Sequence, residues 1–241
     1  MRYIYLSLVF SFTFTNLICQ VQISDISVGK FSIPKIESES LNFDKINNQL
    51  KIKLLDFGYQ IDVYNQSTKE LLNYYQASWD ENNNGYSGLS YEVVFNNDKV
   101  LSLKSKLSHL GAYPDDSFSY YNFNLNNQSL ITISDLYKPY GFGPIKIRIH
   151  DAIKSRITKV KNEITGPDKE PILNWIDESF NPAAETFDYQ YIITEFGITY
   201  IVDYGFPRVI QRYEPDHEIF IPYDELSDYL SKDGPLKDYA K

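Results

Sequence analysis

Four short runs of strand-like sequence between residues 90 and 133 constrain the fold more than any other feature of this chain. Apolar residues alternate with polar ones in these runs, as in strands that bury a single face. Short Asn-rich segments, which favour turns, separate the first run from the second and the third from the fourth. The pattern predicts an antiparallel meander with one wet face, and its four strands are Ser90–Phe95, Val100–His109, Ser117–Leu125 and Leu130–Ile133.

Helical spacing dominates on either side of this block. Apolar residues recur from Ile46 to Phe57 and from Ile145 to Val160, which predicts two amphipathic helices. Shorter helices are predicted at Thr68–Tyr75, Glu170–Glu178 and Tyr223–Leu230. Further strands are predicted at Tyr189–Ile193, Ile198–Val202, Arg208–Gln211 and His217–Ile221. Strands and helices therefore segregate, which indicates an α+β fold of antiparallel β-meanders packed with helices, in two subdomains that span 20–138 and 139–241.

Two segments are predicted to lack regular pairing. Residues 20–40 are expected to form an extended lead-in with one edge strand near Phe31–Ile33, where Pro34 limits the pairing. The Asn- and Gly-rich stretch from Ala77 to Gly88 is expected to be a loop.

The first nineteen residues are typical of a signal peptide. Arg2 precedes an apolar run from Tyr3 to Phe14 that is too short to span a bilayer comfortably. The protein is therefore expected to be exported, and to be periplasmic, extracellular or held at the cell surface by a lipid anchor. Cys19 is either lipidated or removed with the signal. Removal is favoured, because the small residues expected before a lipidated cysteine are missing.

Composition narrows the classes of partner. The formal net charge of −9 argues against nucleic acid and against an anionic membrane surface. No later apolar run reaches the length of a membrane span. Because the chain has one cysteine, no internal disulfide can form and the core alone must stabilise the fold.

Recognisable catalytic and metal-binding motifs are missing from the sequence. It contains no G-x-S-x-G, H-E-x-x-H or phosphate-binding loop, and its three histidines do not have metal-ligand spacing. The acidic stretch from Glu214 to Glu218, around His217, suits either a solvated turn or an acid/base or hard-cation site, and the turn is the simpler interpretation. No cofactor and no metal are predicted.

Several phrases of the sequence resemble a known exported domain pair. In the first half these are Tyr91–Phe95, Leu101-Ser102-Leu103, Gly111-Ala112-Tyr113-Pro114, Asn122-Phe123-Asn124-Leu125 and Ile131–Tyr137. In the second half they are Tyr189–Ile193, Gly197-Ile198-Thr199-Tyr200 and Ile221–Leu226. Together they resemble the domains of unknown function found in the peptidoglycan deacetylase PdaC and the lysozyme-sensing anti-sigma factor RsiV. These phrases mark structural corners rather than catalytic groups.

The chain also departs from that family pattern. Tyr113 stands where the family has a turn histidine, and Asp203–Arg208 replaces an acidic-aromatic stretch between the last strands. No deacetylase segment and no transmembrane segment are recognisable, so neither the hydrolase nor the anti-sigma activity carries over. The resemblance implies a non-enzymatic binding or sensor module of the bacterial cell envelope. Its candidate ligands are peptidoglycan, another glycan or a lysozyme-like protein.

Candidate binding residues are Trp79 and Tyr86 in the predicted Asn-rich loop, together with Tyr113. The functional hypothesis is an exposed aromatic platform, and the alternative is that these rings pack beneath loops. A second functional hypothesis is an envelope hydrolase that uses two carboxylates between Asp203 and Glu218. A third is an interaction or structural protein without a small ligand.

Overall fold

The computed structural model describes residues 21–58, 61–82, 85–111, 113–179 and 190–241. The predicted signal segment and Cys19 lie outside the described residues. Their roles in export and anchoring therefore stay predictions.

The larger of two sheets has six strands, which lie side by side in the order of the sequence. Neighbouring strands are antiparallel, except that β2 and β3 meet in parallel where Phe31 lies opposite Leu89. The strands are β1 (Gln22–Val28), β2 (Phe31–Glu37), β3 (Gly85–Asn96), β4 (Val100–Leu110), β5 (Asp115–Asn124) and β6 (Ser129–Leu130). The meander predicted from the sequence is confirmed as β3 to β6, except that its last strand ends at Leu130 instead of Ile133, where α3 begins.

The prediction for residues 20–40 was wrong in one respect, because two strands form here. β1 and β2 make a tight hairpin through Gly29, whose φ of 56° favours glycine. Pro34 lies inside β2, opposite Asp25. On its other side β2 pairs with β3 only at Phe31. Pro34 has no strand partner on that side, so the N–H that it lacks is not needed for a hydrogen bond there.

Two helices cover one face of this sheet, α1 (Asp44–Leu55) and α2 (Thr68–Asn82). α2 is longer than predicted, and Trp79 lies in its last turns rather than in a loop. Leu72, Tyr75 and Trp79 recur at helical spacing and pack on the same core, which explains why the helix continues. That core also contains fully buried residues from the sheet and from both helices: Phe31, Ile46, Leu50, Leu71, Leu101 and Phe123.

The smaller sheet has three antiparallel strands, β7 (Gln190–Ile193), β8 (Gly197–Ile201) and β9 (Glu218–Pro222). The other helices are α3 (Ile133–Leu136), α4 (Phe142–Glu163), α5 (Lys169–Ser179) and α6 (Tyr223–Leu226). α4 buries Ile145, Ile149, Ile153 and Ile157, as its spacing predicts, in a second core that β7, β8 and β9 share.

Two predicted elements in the second half were wrong. The strand at Arg208–Gln211 is instead a turn followed by a 3₁₀ helix at Gln211–Tyr213, because Ile210 donates to the Pro207 carbonyl at 2.9 Å. The last helix ends at Leu226 instead of Leu230, since Leu230 pairs with Tyr137 in an isolated β-bridge.

The described residues form six α-helices and two sheets, which makes this an α+β fold, as expected. The division at residue 138 stays a prediction. Across the described ranges, no helix is both long enough and apolar enough to cross a bilayer. The longest of them, α4, carries basic residues along its length, including Lys146, Arg148 and Lys154.

Candidate binding cleft

The two sheets are joined by the side chain of Asn122 on β5. Its Nδ2 donates to the Tyr191 carbonyl at 2.8 Å, and its Oδ1 accepts from the Ile193 amide at 2.9 Å. Both backbone groups lie on β7, so the carboxamide bonds to β7 as the backbone of a neighbouring strand would. Asn122 is 3 % exposed, so this contact is sealed from water. It places the smaller sheet against the outward face of β5.

A cleft of about 780 Å³ lies where the two sheets meet. Its floor is formed by Lys104 on β4 and by Phe118 and Tyr120 on β5. One wall is a row of residues across the smaller sheet, Gln190, Ile201 and Glu218, which the register aligns. The rim is formed by the start of β5 and by segment 202–217.

Alternation along β5 explains the aromatic floor. Phe118, Tyr120 and Asn122 lie two residues apart and therefore share a face, whereas Tyr121 and Phe123 pack on the first core from the opposite face. Phe118 is 44 % exposed. Its ring and that of Tyr120 therefore offer apolar surface on the floor of a cleft that charged side chains also line.

The ammonium of Lys104 lies over both rings of the floor. Its Nζ is 4.8 Å from the centre of the Phe118 ring and 5.7 Å from that of Tyr120, both within the range of cation–π attraction. Burial raises the pKa of the Tyr120 phenol, and the nearby charge of Glu218 raises it further. Tyr120 is therefore a neutral hydrogen-bonding group at physiological pH.

Segment 202–217 is held in place by His217 and Glu214. The His217 Nδ1 lies 2.7 Å from the Val202 carbonyl, and its Nε2 lies 3.3 Å from a Glu214 carboxylate oxygen. Glu214 also accepts from the Phe206 amide at 3.2 Å. The edge of the Tyr204 ring packs against the imidazole. These contacts give the rim a defined shape.

Arg156 on α4 holds the start of β9. Its guanidinium donates to the Asp216 carbonyl and, at 2.8 Å, to the Glu218 carbonyl, and it lies 3.9 Å from the Asp216 carboxylate. The opposite rim is also paired, because Lys106 lies 2.8 Å from Asp116. Hydrogen bonds from Lys106 and then Ser108 lower the pKa of that carboxyl.

Three other carboxylates of the cleft, Asp115, Asp203 and Glu218, form no ion pair with any residue that the structure describes. The rim and the wall of the cleft therefore carry negative charge that no ion pair among the described residues compensates. In the described ranges, no three His, Cys, Asp or Glu side chains are grouped closely enough to hold a metal ion.

Tyr113, a predicted binding residue, lies beside this cleft. Its ring is 65 % exposed, and the Arg208 guanidinium carbon lies 4.2 Å from the ring centre. The contact links the turn between β4 and β5 to the segment after β8. Whether Tyr113 binds a ligand stays a prediction.

Trp79 and Tyr86, the other predicted binding residues, are not in a loop and do not line the cleft. Trp79 lies in α2, half-buried, with the Lys30 ammonium 5.5 Å from its ring. Tyr86 lies in β3 with its ring centre 4.6 Å from that of Phe57. Both rings pack against the first core. Their role in binding stays a prediction.

Sequence analysis missed Phe118 and Tyr120 as candidate site residues. The alternation in SFSYYNFNL places them on one face, but it does not indicate that this face is open to solvent. It did single out the acidic stretch between Asp203 and Glu218, which forms much of the rim.

The solved structures with a similar fold include two proteins of the DUF3298 family. One, from Bacteroides fragilis, is 14 % identical with a TM-score of 0.58, and the match covers 91 % of this chain and 97 % of that one. The other, from Pseudomonas aeruginosa, is 15 % identical with a TM-score of 0.53, covering 88 % and 94 %. This chain shares the fold of those DUF3298 proteins.

Identities this low show a common fold and nothing finer. The sequence matches no protein-family model and no curated protein. The structural likeness supports a domain of unknown function, and the narrower likeness to the PdaC and RsiV domains remains a proposal.

Proposed function

We propose that this chain is an exported, non-enzymatic binding or sensor module of the bacterial cell envelope, and that its ligand occupies the cleft between the two sheets. The observation that carries the proposal is the aromatic floor of the exposed Phe118 and the half-buried Tyr120, set among charged groups. Binding sites combine apolar surface with a few placed polar groups in this way. The sequence resemblance suggests peptidoglycan, another glycan or a lysozyme-like protein as the ligand.

The construction of the cleft supports a binding role. Its floor lies on two paired strands, and its walls are fixed by Asn122 and Arg156 through hydrogen bonds to backbone groups. A surface held this way loses little conformational freedom when a ligand binds, which favours affinity. The signal-like segment at residues 1–19 supports export.

A retention experiment tests the proposal. The purified protein is mixed with insoluble peptidoglycan and, separately, with immobilised lysozyme, and the bound fraction is measured. The double variant Phe118→Ala/Tyr120→Ala removes the aromatic floor. Phe196→Ala is the matched control, since Phe196 is an exposed aromatic outside the cleft lining.

We expect the unchanged protein and the control variant to be retained on one of the two supports, and the double variant to be lost from it. Equal retention of the double variant would place the ligand elsewhere. If neither the unchanged protein nor the control variant is retained on either support, peptidoglycan and lysozyme are both excluded as ligands.

An envelope hydrolase is a second candidate, favoured by one observation. Asp203, Glu214, Asp216 and Glu218 all line this cleft, and glycosidases act through two carboxylates across one bond. The test is the release of soluble fragments from peptidoglycan by the protein and by Asp216→Ala/Glu218→Ala. Fragment release that the double variant abolishes supports the hydrolase, and release that survives in it contradicts this assignment.

A further inference from the structure

We propose that the cleft binds a partner protein through a basic side chain, an arginine or a lysine, which replaces the Lys104 ammonium over Phe118 and Tyr120. This inference rests on the proposed function and names the chemistry of its ligand. The aromatic pair, together with the unpaired carboxylates of the rim and the wall, forms the receptor for the positive charge.

Lys104 shows that the floor accepts a cation. Its ammonium lies within 6 Å of two ring centres, at 4.8 Å and 5.7 Å. Two rings that share one cation form part of an aromatic cage, the arrangement by which proteins recognise alkylated ammonium groups. Lys104 therefore occupies this position as a ligand supplied by the chain itself.

The Lys104 ammonium is held weakly. It forms no ion pair and no hydrogen bond with any residue that the structure describes, although Glu92 lies opposite it in the sheet. Its neighbour Lys106, by contrast, is paired with Asp116. The Lys104 side chain can therefore rotate into solvent without breaking an ion pair, and an incoming guanidinium can take the place of its ammonium. A planar guanidinium also stacks on aromatic faces better than an ammonium does.

Charge complementarity selects a basic partner. Asp115, Asp203 and Glu218 are on the cleft lining without ion-pair partners among the described residues, and the whole chain carries a formal net charge of −9. Such a field attracts cationic groups and accelerates their encounter with the site. A neutral glycan gains nothing from this field, and a ligand rich in carboxylates is repelled by it. The charges therefore favour a basic protein segment.

The experiment uses three small probes and follows the backbone amide signals of residues 118–120 and 201–203 by NMR. The first probe is a capped Gly-Arg-Gly peptide. The second is its citrulline counterpart, which has the same planar shape without the charge. The third is the neutral trimer of N-acetylglucosamine. Each is titrated into the unchanged protein at low and at moderate salt concentration.

Two lysine variants separate the local contact from overall charge. Lys104→Gln empties the aromatic floor, and Lys30→Gln is the matched control. Lys30 also lies over an aromatic ring, that of Trp79, and its loss changes the net charge equally. Phe118→Leu removes the π face but keeps an apolar side chain, and thermal unfolding checks that each variant is folded.

We expect the arginine peptide, and not the citrulline peptide, to shift the cleft amides, with weaker binding at higher salt. Lys104→Gln should bind it about two- to fivefold more tightly than Lys30→Gln does, and Phe118→Leu should weaken binding by a similar factor. Equal affinities of the two lysine variants, or equal binding of citrulline and arginine, would overturn the inference.

The glycan trimer distinguishes failure of this inference from failure of the proposed function. If it shifts the cleft amides while the arginine peptide does not, the cleft is a glycan site, and the binding function stands without the basic partner. In the Lys104→Gln variant no ammonium covers the two rings. If the arginine peptide does not shift the cleft amide signals of that variant, a basic partner is excluded.

Discussion

The Asn122 side chain forms a hydrogen-bonded pair with the backbone of β7, donating to the Tyr191 carbonyl at 2.8 Å across 69 residues of sequence. The same carboxamide accepts from the Ile193 amide. This one side chain therefore bonds to β7, an edge strand of the smaller sheet. Because the cleft lies directly beyond it along β5, the contact also sets the distance between the floor and the wall.

Replacing Asn122 by Ala should lower the free energy of unfolding by about 2–4 kcal/mol, because it leaves a buried carbonyl and a buried amide without partners. Urea unfolding followed by circular dichroism measures the change. Asn124→Ala, two residues further along β5, is the control and should cost less than about 1 kcal/mol, since the Asn124 side chain bonds, within the described ranges, to the nearby Asn126 amide alone. If the free energy of unfolding fell equally in the two variants, the role of Asn122 in joining the two sheets would be contradicted.

Gly197 at the start of β8 should not tolerate a side chain. A Cβ atom there would lie 2.3 Å from the Ile221 carbonyl oxygen and 2.8 Å from the Pro222 Cα, both of which are backbone atoms. Gly197→Ala should therefore lower the free energy of unfolding by about 1–3 kcal/mol.

Gly143 in α4 is the matched control, because nothing lies within 4 Å of its added Cβ. Gly143→Ala should leave the free energy of unfolding unchanged or raise it by up to about 1 kcal/mol. Thermal unfolding of both variants checks the pair, and a stable Gly197→Ala protein would show that β8 and β9 are not packed this closely.

Lys51 on α1 fixes the segment that precedes α2. Its ammonium donates to the Tyr64 and Gln66 carbonyls, each at 3.1 Å, and the residue is 9 % exposed. Lys51→Met keeps the apolar stem but removes the donor, so unfolding should become easier by about 1–3 kcal/mol. Proteolysis between residues 61 and 67 should also become faster. Lys53→Met, at an exposed position on the same helix, should change neither quantity.

The buried tyrosines of the second core predict a loss of stability in alkali. Burial raises the pKa of both Tyr137 and Tyr200, whose hydroxyl groups are hydrogen-bonded to each other. An unfolded tyrosine ionises near pH 10, whereas these phenols stay neutral in the folded state. Their contribution to stability is therefore complete below about pH 10 and decreases as the pH rises above it.

Denaturant unfolding at a series of pH values measures this effect. Exposed tyrosines such as Tyr140 ionise in the folded protein, and the remaining tyrosinate absorbance should rise together with unfolding. Tyr200→Phe should be less stable at neutral pH by about 1–3 kcal/mol, because the Tyr137 hydroxyl loses its partner. Its stability should also decrease less steeply as the pH rises into the alkaline range. Tyr140→Phe, at a side chain fully open to solvent, is the control. An unchanged pH dependence in Tyr200→Phe would contradict the burial of this pair.

Local sequence patterns predicted the elements that depend on local periodicity. The isoleucines from Ile145 to Ile157 repeat at helical spacing, and they pack inward along α4 as that spacing requires. The strand predicted at Arg208–Gln211 was wrong, because short-range hydrogen bonds around Ile210 form a turn there. α2 was underestimated because tertiary packing of Trp79 outweighs the weak helix propensity of the Asn-rich sequence around it.

The cleft itself depends on contacts that no local pattern contains. Its floor and wall come from residues as far apart as Lys104 and Glu218, and the side chain that sets their spacing, Asn122, is one of many asparagines in the sequence. The acidic rim could be suspected from its composition. Its position opposite Phe118 and Tyr120 requires the three-dimensional pairing of the two sheets.

The most direct test of the binding site is hydrogen exchange of the protein with and without the ligand that retains it, soluble peptidoglycan fragments or lysozyme. We expect slower exchange in residues 115–120 and 201–218, the two sides of the cleft, and unchanged exchange in α1 and α2. Protection confined to α1 and α2, with the cleft unaffected, would contradict it.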